Sequence, residues 1–197
     1  MENIDVDIFK TIESQIEPQR GRILIADPFS HGLVFMRSII LLTEHNDEGS
    51  VGFVLNKPTD VCAEDLIDDI LNFKGLLHFG GPVHTNTLHY LHTLGEKVPD
   101  SIKITNSIYW SGNFETLKSL INSGKANPKT VKFFMGYTGW IGGQLEEELK
   151  ENSWVVSTVA DKTIMEANSI SVWNNILSEL GGDFKMWANC PFNPQMN

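Results

Sequence analysis

No apolar run in the sequence is long enough to cross a bilayer, which excludes a membrane-spanning helix. Only two of the 197 residues are cysteine, Cys62 and Cys190. They lie too far apart for a local metal-ligand pair and too few for a disulfide framework. Basic residues are also scarce: 15 Lys and Arg against 25 Asp and Glu give a net charge of −10. They are scattered rather than grouped, so the surface repels nucleic acid and direct nucleic-acid binding is not expected.

Familiar fingerprints are missing too. "SGKAN" carries Gly124-Lys125, but Ser119 stands where a phosphate-binding loop needs its first glycine, and Ala126 replaces the hydroxyl. No GxGxxG opens a helix. "EGSVG" has Glu48 where a nucleophile elbow needs glycine, and it enters a strand. No cofactor is therefore expected. The opening "MENIDVDIFKTIESQIEPQR" is acidic and lacks the basic start and apolar middle of a secretory signal. A cytoplasmic setting with free thiols and no membrane partner is the expectation.

The 41% hydrophobic fraction suits one large core. In residues 1–20, Ile4, Ile8, Phe9, Ile12 and Ile16 recur at helical spacing, predicting an amphipathic helical segment. Residues 21–197 show no repeat or linker and read as a single domain. "RILIADP" predicts a buried strand stopped by Pro28. "RSIILLTEHNDEGSVGFVLNKP" predicts a hairpin turning near Gly49. Thr59 or Asp60 is expected to cap a helix, "VCAEDLIDDILNF", with Leu66, Ile67, Ile70 and Leu71 inward and Glu64, Asp65, Asp68 and Asp69 in water. "LLHFGGPV", "TLHYLHTL", "IKI", "SIYW", "TVKFFMGY" and "WVVSTV" read as strands. Asn113 caps "FETLKSLINS", which ends at Gly124, and "ISVWNNILSEL" forms a late helix with Ile170, Trp173, Leu177 and Leu180 on one face. Strands in runs favour an α+β fold with a mixed, largely antiparallel sheet and flanking helices.

Four histidines cluster along the chain: His78, His84, His89 and His92. A strand puts His89 and His92 on opposite faces, which works against a shared metal. In the hairpin, pairing Glu44 with Val51 brings Arg37, Ser38, Asn56 and Lys57 together at the open end. Two cations with two hydrogen-bonding groups suit a carboxylate or phosphate. Glu44 and His45 at the turn form a possible acid/base pair. In "MGYTGWIGGQLEEEL", glycines allow a tight aromatic turn at Tyr137 and Trp140. Glu146 and Glu147 complement the dipole of the helix begun at Gln144, and Gln144 is free to reach a ligand.

The hairpin segment, "HFGGPV" and "GYTGWIGGQLEEEL…NSW", in that order and spacing, resemble the bacterial YqgE/AlgH family from about Arg22 to Gly182. The family usually has proline where this chain has Gly142. The resemblance implies a bacterial cytosolic α+β domain with coiled, branched mixed sheets. It also brings a transcriptional-regulator label and no established enzymatic activity. The leading expectation is a non-catalytic binding or regulatory module for a small anion or protein partner. Its groove is formed by Arg37, Ser38, Asn56 and Lys57 near Gly80 and Gly81, with Tyr137, Trp140 and Gln144 as further contacts. Its effect on transcription, if any, is indirect. The rival is a hydrolase-like enzyme using Glu44 and His45, or Tyr137 and Gln144.

Overall fold

The computed structural model describes residues 16–28 and 32–190; all but Ile16 of the apolar positions expected to form an N-terminal helix lie outside them. The first strand, β1 (Ile23–Ala26), is buried along its whole length. Strand side chains alternate between faces, and here both faces are covered. Ile23 and Ile25 enter one apolar cluster, Leu24 and Ala26 another. A short helix, α1 (Gly32–Phe35), separates β1 from the hairpin of β2 (Ile39–Asn46) and β3 (Gly49–Val54).

The hairpin register is Glu44 opposite Val51, as the spacing predicts. A bulge at Thr43 then shifts the pairing, so Leu42 faces Gly52 and Ile40 faces Val54. Continuing that register puts Ser38 opposite Asn56 and Arg37 opposite Lys57.

The remaining strands are β4 (Pro58–Cys62), β5 (Leu76–Phe79), β6 (Val83–His92), β7 (Ile102–Lys103), β8 (Tyr109–Trp110), β9 (Val131–Ile141) and β10 (Trp154–Ser157). The sheet runs β10-β1-β2-β3-β9-β6-β8-β7. β9 is the branch: Thr138 to Ile141 pair with β3, while Phe133 to Met135 pair in parallel with β5, which also carries β4. The other strand pairs among the described residues are antiparallel. At the branch two backbones nearly touch. A Cβ on Gly81 would lie 2.2 Å from the Tyr137 carbonyl oxygen, and one on Gly136 would lie 2.6 Å from that of Gly81. Only glycine permits this approach.

Helices cover the faces. α3 (Phe114–Asn122) is capped by Asn113, whose side chain accepts from the Thr116 N–H at 2.8 Å. It packs Leu117 and Ile121 against Phe133, Leu77 and Tyr90. α4 (Gln144–Lys150) closes the opposite side of β1–β3 through Leu145. α5 (Asp161–Glu166), α6 (Ile170–Leu180) and α7 (Phe184–Asn189) cover the third cluster. The inner face of α6 is Trp173, Ile176 and Leu177; Ile170 and Leu180 are exposed.

Three expectations need correction. The helix expected after Pro58 is a single turn, α2 (Ala63–Leu66), while Thr59 and Asp60 belong to β4. Asp69 and Asn72 sit at φ 63° and 58°, outside the helical region. The Asn122 side chain holds that loop instead, donating to the Asp69 carbonyl at 2.8 Å and accepting from the Leu71 N–H at 2.9 Å. Leu66 and Leu71 are consequently exposed, while Ile67 and Ile70 are buried. Next, Tyr137 and Trp140 are not in a turn: β9 continues to Ile141, and only Gly142 and Gly143 turn. Finally, Ile170 and Leu180, expected on one face with Trp173 and Leu177, are exposed, and α5 and α7 were not anticipated.

Candidate functional site

At the open end of the hairpin Arg37 has a left-handed backbone (φ 54°), and the register of β2 and β3, continued, sets it opposite Lys57. Asn56 stitches the strands: it accepts from the Ile39 N–H at 2.9 Å and donates to the Arg37 carbonyl at 2.9 Å. Gly80 adjoins them, its carbonyl accepting from the Val54 N–H at 2.9 Å. The cations, however, are engaged within the chain. The Arg37 guanidinium donates to the Cys190 carbonyl at 2.5 Å and lies 5.2 Å over the Trp173 ring. The half-buried Lys57 donates to the Val34 carbonyl, and burial lowers its ammonium below the ordinary lysine range. Ser38 is fully buried.

The other sequence candidates divide. Tyr137 packs among His84 and His89, while Trp140 enters the cluster on the other face of β9. Strand alternation separates them. Trp140 and Gln144 do meet, around Glu148. One Glu148 oxygen accepts the indole N–H groups of Trp140 at 2.8 Å and Trp154 at 2.6 Å; the other accepts from the Gln144 amide at 2.9 Å. A niche of about 140 Å³ adjoins them. At the hairpin turn, the partners of His45 are Ser50 at 2.8 Å and Glu146 at 3.6 Å; Glu44 accepts from Asn46 instead.

The histidines likewise take separate places. His92 is buried, with Ser101 at 3.0 Å and the Ser111 carbonyl at 3.1 Å. His89 meets Phe53 and Tyr137 on the opposite face. Among the described residues no three His, Cys, Asp or Glu side chains converge as metal ligands.

The chemically distinctive site lies where β5 and β9 run parallel. His78 and Phe134 are register partners there, and Lys132 lies two residues before Phe134 on the same face. The segment after α5 supplies Ala167 and Asn168. Lys132 is only 4% exposed. Its Nζ donates to the Ala167 carbonyl and to Asn168 Oδ1 at 3.2 Å. His78 Nε2 lies 3.0 Å from the same Oδ1. An oxygen with no hydrogen must accept from both, so Nε2 carries the ring proton.

Burial without a counter-ion brings the Lys132 ammonium down to about 7. Burial, aided by the charge of Lys132, brings His78 down to about 4, so the ring is neutral at pH 7. These groups line a cavity of about 240 Å³ with Pro58, Gly75, Met165 and the exposed Lys74. No carboxylate is among its lining side chains. The sequence does carry a signal for this site. Lys132 interrupts the apolar run "VKFF" at the face-in position of Phe134.

Comparison with known proteins fits this architecture. A UPF0301 protein of Bacteroides fragilis is 39% identical over 196 residues, covering 99% of this chain and all of the relative. One from Parabacteroides distasonis is 40% identical over 193 residues, covering 97% and 98%. The fold matches the crystal structure of protein DIP2367 from Corynebacterium diphtheriae with a TM-score of 0.76 at 20% identity, covering 95% of this chain and 100% of that one. It matches the solution structure of the AlgH protein from Pseudomonas aeruginosa with a TM-score of 0.70 at 22% identity, covering 90% and 97%. The family described as AlgH-like matches residues 23–185, and the chain belongs to that family.

Proposed function

We propose that this chain is a binding protein for a small anionic metabolite, held at Lys132, Asn168 and His78. It acts by holding the ligand rather than turning it over. The observation that carries this reading is a buried amine on a cavity wall, bonded only to neutral acceptors. An incoming carboxylate or phosphate supplies the missing counter-charge and stabilises the ammonium. The cavity, about 240 Å³, is below the roughly 300–1,000 Å³ of drug-sized pockets, so the ligand is compact. Any effect on transcription runs through a protein partner, because a net charge of −10 opposes contact with DNA.

The test titrates glycolate, succinate and inorganic phosphate into wild type and Lys132→Met, following the His78 ring by NMR. At least one anion is expected to shift the ring in wild type only. Its binding should tighten as pH falls through about 7, where the ammonium forms. Equal shifts in both proteins, or none in either, would overturn the reading.

A further inference from the structure

Each of several other lysines has settled chemistry. Lys74 pairs with Glu64, Lys118 with Glu115 and Lys162 with Glu166. Lys57 is fastened to a backbone carbonyl. Lys132 alone among these combines deep burial, neutral partners and a cavity wall. Its hydrogen-bond geometry is that of an amine as well as an ammonium. The Ala167 carbonyl and Asn168 Oδ1 take two hydrogens, Cε takes a third tetrahedral direction, and the fourth has no hydrogen-bond partner among the described residues. In the neutral form that fourth position is a lone pair.

We propose that Lys132 Nζ captures the carbonyl carbon of a small α-oxo acid or aldehyde as a reversible imine. This rests on the pocket reading above and names the ligand class. The lone pair attacks the carbonyl carbon, and the π electrons move to oxygen. The resulting carbinolamine loses that oxygen as water, with the two amine hydrogens, as the C=N bond forms. Nothing is oxidised or reduced, and hydrolysis reverses the step. An amine about half unprotonated at pH 7 is a nucleophile, as a solvated surface lysine is not. On an α-oxo acid, the ligand's own carboxylate lies next to the imine carbon and pairs with the nitrogen when it is protonated.

Asn168 is a positioning residue here. It orients the amine and shares its oxygen with His78. Replacing it by aspartate would put a carboxylate beside Nζ and hold the amine protonated. Capture by Asn168→Asp should therefore fall at pH 7 and return as pH is raised.

The experiment incubates the full chain with glyoxylate and sodium cyanoborohydride at pH 7, then maps adducts by peptide mass spectrometry. Lys132 is expected to label about tenfold or more faster than any exposed lysine, consistent with its larger neutral fraction. Labelling there should disappear in Lys132→Met, and its pH dependence should move upward in Asn168→Asp. Glycolate, which has no carbonyl, is titrated in parallel against the His78 ring. If glycolate or glyoxylate binds but no Lys132 adduct is trapped, the imine is refuted and the pocket stands. If neither perturbs His78 and labelling is spread evenly over surface lysines, both fall.

Discussion

Replacing Lys132 by methionine tests the electrostatics of the pocket without any ligand. In the unfolded chain this amine holds its proton up to about 10.5; in the folded protein burial brings that down to about 7. Below the lower value both states are protonated, and the folded state carries the whole penalty of a buried charge. Between the two values the unfolded chain binds more protons, so stability rises with pH. Above the upper value the contribution is level.

Each unit of pH is worth ~1.4 kcal/mol per proton of difference. Allowing for half-titration near 7, wild type should gain about 2 kcal/mol between pH 7 and pH 9 from this group. Methionine has nearly the same volume and no charge, so the variant lacks that slope. Urea unfolding of both proteins across this range, read by tryptophan fluorescence, gives the difference directly. Methionine should match or exceed wild type below pH 7, and the difference should shrink by about 2 kcal/mol by pH 9. Parallel stability curves would refute the argument, because they would mean the amine titrates alike in both states.

Glu148→Ala removes the acceptor of two buried indoles and the Gln144 amide, and should cost about 3 kcal/mol; Glu148→Gln, which keeps one acceptor oxygen, should cost less in the same urea titration. Asn56→Ala leaves the Ile39 N–H unbonded in the core and takes the amide donor from the Arg37 carbonyl, an expected loss of about 2 kcal/mol, with faster amide exchange at Ile39. Gly142→Pro would fix φ just ahead of α4, yet a Cβ there would lie 2.5 Å from the Asp47 carbonyl oxygen. It should destabilise this chain by about 1–3 kcal/mol, and a raised Tm would contradict that.

The parts of the fold that were legible in the sequence are those fixed by local pattern. β1 announces itself as "ILIA" before a proline, α3 by Asn113, and the hairpin by its polar turn, down to the pairing of Glu44 with Val51. What escaped depends on distant partners. The Thr43 bulge has no sequence mark, and it shifts every pairing beyond it by one residue. The acidic segment after Pro58 has helical spacing, but Asn122 offers its backbone better hydrogen bonds in a loop. The acceptors of the Arg37 and Lys57 side chains escaped in the same way. Those carbonyls, at Cys190 and Val34, come from segments whose approach no hairpin argument supplies.

The Lys132 pocket was hidden for the same reason, and its construction says why it is worth testing. Two of the three side chains joined by hydrogen bonds there stand on strands locked in register, His78 on β5 and Lys132 on β9. The third, Asn168, comes from the short segment between α5 and α6. Had this position served packing alone, methionine would fill the space without the cost of desolvating an amine. A lysine given no acid and only two neutral acceptors is an expensive way to complete a core. The expense has a chemical return only if something enters the cavity and uses the nitrogen, either its proton to hold an anion or its lone pair to hold a carbonyl carbon. These uses have opposite pH dependence on the two sides of about 7, so a pH series on this residue separates them.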